Sequence, residues 1–207
     1  MNRIRRRPNF ITVEGIDGVG KSTVVATIAE YLNGVKINTQ IVRQNKDTVL
    51  ARKVREFISC KEAYDTSSTT FALLFAASIN DSIERIIDPA HLNGKVVISD
   101  RYTMSTRVYQ RDSKYVDRIC DILENQLMPD LIFVLDAPPN IVKARISERA
   151  ESTDALESAD DEKLNDRRKE FLKIARTHSK NTYTIDASGT QESVAEQIIK
   201  ILATYYG

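Results

Sequence analysis

"EGIDGVGKST", residues 14 to 23, follows the apolar run "NFITV" and carries three glycines between Gly15 and Gly20, directly ahead of a lysine and two hydroxyls. The run from Asn9 to Glu14 has the length and the Val/Ile content of a strand, and the residues from Lys21 to Asn33 have helical spacing. Gly15, four intervening residues, Gly20, Lys21 and Ser22 satisfy G-x-x-x-x-G-K-[ST], in the strand-before, helix-after setting that gives this pattern its meaning. The glycines let successive backbone N–H groups turn inward around a phosphate, and the start of the helix adds its positive dipole end. Lys21 then reaches the β- and γ-phosphates of a nucleoside triphosphate, and Ser22 ligates Mg²⁺. The expected triphosphate ligands are Gly15, Ile16, Asp17, Gly18, Val19, Gly20, Lys21, Ser22 and Thr23.

Working outward, short apolar runs alternate with longer helical stretches. Strands are predicted at 9–14, 38–43, 95–100, 130–136 and 182–186; the central ones are rich in Val and Ile with little strict alternation, the pattern of strands buried on both faces. Helices are predicted near 21–33, 47–59, 67–88, 112–126, 139–149, 160–179 and 191–205. Strand alternating with helix predicts an α/β fold, a five-stranded parallel sheet with helices on both faces, in the three-layer arrangement of P-loop NTPases. The 207 residues, 42% hydrophobic and 29% charged, supply one substantial core and little for a second, so a single domain over 1–207 is expected.

Thirty basic residues against 29 acidic ones leave a formal charge of +1, which gives no reason to expect nucleic acid or an anionic membrane as partner. Arg3, Arg5, Arg6 and Arg7 cluster before Pro8 and read as a solvated extension over 1–8. No run reaches the length of a membrane span and no secretory leader is evident, so a cytoplasmic protein is expected. Cys60 and Cys120, like His91 and His178, are isolated and form no metal-ligand or disulfide pattern.

A phosphate-binding loop specifies a nucleotide but no reaction. In open α/β sheets ligands gather beyond the carboxyl ends of the strands, and three other strand ends carry charged groups: Arg43 after the second, Asp100 and Arg101 after the third, Asp136 after the fourth. "FITVEGIDGVGKST", "SDRYTMSTRVYQ", "PDLIFVLDAPP" and "YTIDAS", in this order and at these separations, resemble the thymidylate kinase family of nucleoside monophosphate kinases. The likeness runs from about Asn9 into the last helix, and the segment from Asp100 to Gln110 is its most family-specific part.

The resemblance implies roles residue by residue. Asp17 matches a carboxylate beside the acceptor sugar; Arg101 and Arg43 match arginines on the acceptor phosphate; Asp100 matches the carboxylate at the metal. Phe75 matches the phenylalanine that stacks on the base, Tyr109 the tyrosine against the deoxyribose, and Thr106 and Gln110 fall at the base edge. Arg145 and Arg149 match lid arginines over the ATP phosphates, with 150–161 as the mobile lid. The implied reaction is transfer of the γ-phosphoryl of Mg·ATP to a deoxynucleoside 5′-monophosphate, first of all dTMP, by Lys21, Arg101, Asp100 and Arg149, in a homodimer. The apolar face from Phe71 to Ile87 is a candidate dimer interface or, equally, packs on the sheet. Three departures stand out: the family's Arg-Glu-Pro-Gly turn reads Arg43, Gln44, Asn45, Lys46; its base-reading arginine is Ile79; and its lid Asp-Arg-x-Glu is Asp154, Ala155, Leu156, Glu157. Other readings lack support in sequence. A guanine-reading Asn-Lys-x-Asp is missing, Asp136 has no acidic partner beside it, and a deoxynucleoside kinase would need a general base, for which Glu14 is the candidate. A non-catalytic nucleotide-binding protein sits poorly with intact Lys21, Ser22, Asp100 and Arg101.

Overall fold

The computed structural model describes residues 7–148, 161–178 and 181–207. Arg149, residues 150–160 of the expected lid and the arginines at 3, 5 and 6 lie outside the described residues. Five strands form one all-parallel sheet in the order β2-β3-β1-β4-β5, and each begins within a residue of its predicted start. They are β1 Phe10–Glu14, β2 Thr39–Arg43, β3 Val96–Asp100, β4 Leu131–Asp136 and β5 Thr182–Asp186. β1 lies at the centre, so the chain leaving Glu14 emerges between β3 and β4, where strand order reverses and ligands characteristically bind. Val13 pairs with Asp100 and Glu14 with Val134, which places the loop after β1 level with the ends of both neighbours.

The pleat divides the core. Ile11, Val13, Val96 and Ile98 point toward α1 (Lys21–Gly34), α8 (Asp161–Thr177) and α9 (Gln191–Tyr206). Phe10, Val42 and Val97, one residue out of phase, point to the other face, where α3 (Ser68–Ser82), α4 (Asp88–Leu92) and α6 (Val116–Gln126) pack. Three helices start at side-chain caps: Thr48 Oγ1 accepts from Ala51 N ahead of α2 (Val49–Ile58), Ser67 caps α3 and Thr190 caps α9. No helix among the described residues is long and apolar enough to cross a membrane.

Two elements depart from expectation. The helix predicted over 67–88 runs through α3 into a wide π turn, Ile83–Ile87, and continues as α4 to Leu92. Pro89 explains the wide turn: it has no N–H to donate to Arg85, and its ring would crowd that carbonyl in a regular helix. The apolar face Phe71–Ile87 also splits. Ile79, Ile83 and Ile87 are buried in the second core cluster, so that stretch packs on the sheet, whereas Leu73 stays exposed. The second departure is a short helix, α5 (Thr103–Tyr109), immediately after the Asp100–Arg101 corner. From Thr103 to Val108 every residue is buried, so it carries no amphipathic period from which a helix could be read.

β4 is buried from Leu131 to Leu135, and Phe133 within it is fully buried with its ring 6.3 Å from that of Tyr183. Phe133→Ala is expected to lower the unfolding free energy by about 3–5 kcal/mol, measured by urea denaturation at constant m value.

Candidate active site

The loop between β1 and α1 (with α7, Pro139–Glu148, beside it) is shaped by close packing as much as by charge. Gly15 has φ +136° and a Cβ there would lie 2.8 Å from the Leu135 carbonyl oxygen; Gly18, φ +77°, would meet Ile146 Cγ1 of α7 at 2.6 Å. Neither position accepts a side chain without moving backbone or α7. Lys21 is 7% exposed and folds back over the loop, Nζ donating to the carbonyls of Ile16 at 2.7 Å and Gly15 at 3.1 Å. Burial pushes its pKa down to about 8, with Arg101 adding repulsion and Asp17, Asp100 and Glu14 opposing.

Across from the loop, Arg101 occupies the left-handed region at φ +73°, a conformation that non-glycine residues rarely hold unless surroundings enforce it. Its N–H donates to Val13 O at 3.0 Å, and the next amide, Tyr102 N, donates to Glu14 Oε1 at 2.7 Å. Glu14 therefore braces the corner. Its other oxygen accepts from Ser105 Oγ, and burial raises its pKa to about 7 despite these donors and the charge of Arg101. The corner aims the Arg101 guanidinium at the loop, where it donates to Gly15 O at 3.2 Å, Ser105 Oγ at 2.9 Å and the Asp17 carboxylate. Asp17 also accepts from Tyr109 Oη at 2.6 Å. Burial would raise the Asp17 pKa, but Arg101 and Lys21 outweigh it and hold the carboxyl down at about 2.

Beyond Arg101 lies a cavity of about 320 Å³. Asp17, Arg101, Ser105, Thr106, Tyr109 and Gln110 give it polar walls, with Gln44, Asn45 and Ser78; Phe71, Phe75, Ile58 and Ile79 give it apolar ones. Asp17 from the loop and Arg101, which bonds to the loop from across it, both line the cavity. On the side of α1, Ser22 Oγ donates to Asp100 Oδ2 at 3.1 Å, a hydroxyl and a carboxylate converging beside the loop. Two hard oxygen ligands suit Mg²⁺, which keeps several waters and takes further oxygens from a bound phosphate.

The family model for thymidylate kinase matches residues 13–198. The chain belongs to the thymidylate kinase family. Relatives carrying that name agree over nearly their whole lengths: one from Bartonella quintana is 33% identical over 93% of this chain and 94% of its own, one from Fervidobacterium nodosum is 33% identical over 95% and 99%, and one from Lactobacillus helveticus is 34% identical over 95% and 96%. The chain is accordingly a phosphotransferase of the kinase class.

Against that frame the structure brings Asp17, Lys21, Ser22, Asp100, Arg101, Phe75, Thr106, Tyr109 and Gln110 to one edge. Arg43 ends β2 at that same edge, opposite Asp100, but does not line the cavity. Its side chain is 58% exposed and turned to Asp47, whose carboxylate accepts from the Arg43 amide at 2.8 Å and lies 3.4 Å from its Nε. The Gln44-Asn45-Lys46 turn, closed by Asp47 in place of Pro-Gly, accounts for this. Arg145 donates to Val19 O at 3.3 Å and Gly189 O at 2.9 Å, tying α7 to the phosphate loop and the turn after β5. Asp136 is engaged bidentately by Arg168 at 2.5 and 3.0 Å. Glu14, the candidate base, is 1% exposed under Tyr102 and Ser105 and does not line the cavity. Gln44 was not expected: its Nε2 donates to Ser99 Oγ at 3.1 Å, and its Oε1 is buried without a partner at the cavity wall. Arg167 was also not expected, although Leu164 three residues before it and Phe171 four after mark the inward face of α8.

Because Lys21 has a folded-state pKa of about 8, the nucleotide-free protein loses that proton as pH rises through 8, and an arriving phosphate restores it. Triphosphate binding at pH 8.5 is therefore expected to take up about three-quarters of a proton. Calorimetry in buffers of different ionisation enthalpy measures the uptake, and Lys21→Met should abolish it.

Proposed function

We propose that the protein transfers the γ-phosphoryl group of ATP to the 5′-phosphate of a deoxynucleoside monophosphate, with dTMP the preferred acceptor, giving dTDP for dTTP supply. The observation that carries this reading is that Arg101 belongs to both compartments: it grips the phosphate loop through Gly15 O and Asp17 and also walls the cavity. An acceptor phosphate at that guanidinium sits against the donor's terminal phosphate on Lys21.

The attacking oxygen belongs to a phosphate already ionised at neutral pH, so the reaction needs no general base and Glu14 has no proton to take. Catalysis consists of alignment and charge neutralisation. Lys21 leaves the carbonyls of Gly15 and Ile16 for the β- and γ-phosphates, Arg101 holds the acceptor phosphate, and Asp17 with Tyr109 fixes the arginine and the sugar edge. Ser22 and Asp100 would hold Mg²⁺, which when bound neutralises charge on the donor phosphates. Phe75 and Phe71 offer rings for a pyrimidine, and Tyr109 stands where a 2′-hydroxyl would crowd it. Arg149 and residues 150–161 serve as the lid that excludes water and, with Arg145, closes the ATP side. Exposed Leu73 on α3 and Ile122 on α6, helices that pack on each other, support assembly as a homodimer.

ADP release in the presence of Mg·ATP and dTMP, dUMP, dCMP, dGMP, dAMP or thymidine tests the reading. Turnover is expected with dTMP first and none with thymidine; turnover with thymidine alone, or with no acceptor, refutes it. Ile79 is 3% exposed and packs with Phe10, Val42 and Tyr102 as well as lining the cavity. Ile79→Arg is expected to raise selectivity for dTMP about tenfold, the worth of one hydrogen bond of about 1.4 kcal/mol. It should also lower Tm, because the new charge enters an apolar cluster. Competition kinetics and a thermal melt read the two effects.

A further inference from the structure

α8 is fixed over the carboxyl edge of the sheet by three ties. Leu164 and Phe171 are 1% exposed in the main core; Asp166 pairs with Arg111 in the turn after α5; Arg168 grips Asp136 at the end of β4. Arg167 stands between the last two. Its Cζ lies 4.8 Å from the centroid of the Tyr109 ring, the same ring that Arg101 covers at 5.3 Å. Unlike Arg168, Arg111 and Arg145, its guanidinium has no hydrogen-bond or ion-pair partner among the described residues.

A guanidinium stacked on an aromatic face keeps its N–H groups in its own plane, pointing past the ring edge and free for oxygen ligands. Here the ring belongs to Tyr109, whose hydroxyl ends on Asp17. Arg167 is close enough to Asp17 to help hold that carboxyl ionised. Around this junction three cations, Lys21, Arg101 and Arg167, face two carboxylates, Asp17 and Asp100. Glu14 adds little negative charge, being buried with its proton retained up to about pH 7. The surplus is positive, the donors of Arg167 are unused, and the neighbouring ties hold it in place.

We propose that Arg167 is a phosphate ligand of the transfer reaction, binding the phosphoryl group in transit between donor and acceptor from the α8 side. The inference rests on the kinase reading above. In the step it serves, an oxygen of the acceptor monophosphate forms a bond to the γ-phosphorus while the bond from that phosphorus to the bridging oxygen breaks, the electron pair leaving with the diphosphate. Arg167 takes no proton; it neutralises charge on the oxygens of the moving group.

Arg167→Met tests this, because methionine keeps an unbranched apolar chain over the Tyr109 ring and removes only the guanidinium. With the acceptor that the wild-type protein uses best, kcat is expected to fall about 100-fold. KM for ATP should stay within about threefold, Tm should be unchanged, and added guanidinium ion at non-denaturing concentration should restore part of kcat. A variant with kcat within about threefold of wild type overturns the proposal, and so does a loss of kcat that tracks a lowered Tm and is not rescued. A wild-type protein without transfer to any monophosphate overturns the kinase reading itself, and this inference with it.

Discussion

Glu14 buried beneath the corner at Arg101 is the constraint on which the site depends. A left-handed arginine costs on the order of 1–3 kcal/mol, and burying a carboxyl costs more than leaving it in water. The two costs are met by one arrangement: the carboxyl takes the Tyr102 amide that the strained corner presents, along with the Ser105 hydroxyl, and the corner turns the guanidinium toward the loop. β1 supplies the glutamate and β3 the corner, so the parallel pairing of Val13 with Asp100 sets the distance between the phosphate loop and Arg101. Sheet register is thereby converted into the placement of one charge.

The pH behaviour of that arrangement has two signs. Glu14 has a folded pKa above its unfolded one, so its contribution favours the folded state at low pH and is lost as pH rises from about 4.5 through 7. Asp17 is the reverse: its contribution is present above about 3.8 and is lost as pH falls toward 2. Both are at their best together only in mildly acid solution, and at neutral pH Glu14 exerts a pull toward unfolding that the rest of the core offsets. A group so placed is retained for the geometry it enforces.

Much of this was legible in the residues. The five strands were readable because four are apolar runs bounded by turn residues, and the phosphate loop because its glycines, lysine and serine sit in a fixed spacing. Asp100 and Arg101 were legible as charges at a strand end, but the cavity residues from Ser105 to Gln110 were reachable only through the family resemblance, since α5 is buried along most of its length and shows no period. Arg43 turns away from the cavity because the turn after β2 closes on Asp47, a local pairing that four residues of sequence permit but do not dictate. Arg167 was hidden among the charges of a helix with five other arginines and lysines in seventeen residues; only the anchoring of Leu164 and Phe171 separates it from them.

The apolar residues of α3 and the turn after it, Phe71, Phe75, Ile79, Ile83 and Ile87, recur every four positions. Within α3, at 3.6 residues per turn, that row drifts by about 40° at each step, and the wide turn over Ile83–Ile87 changes the step there. The stripe therefore winds around the axis, facing the cavity at Phe71 and Phe75, both cavity and core at Ile79, and the sheet at Ile83 and Ile87. The helix behaves as a screw with one end in the ligand compartment and the other threaded into the core. It cannot turn to widen the cavity without unseating Ile83 and Ile87, so the width of that compartment is fixed from within the core.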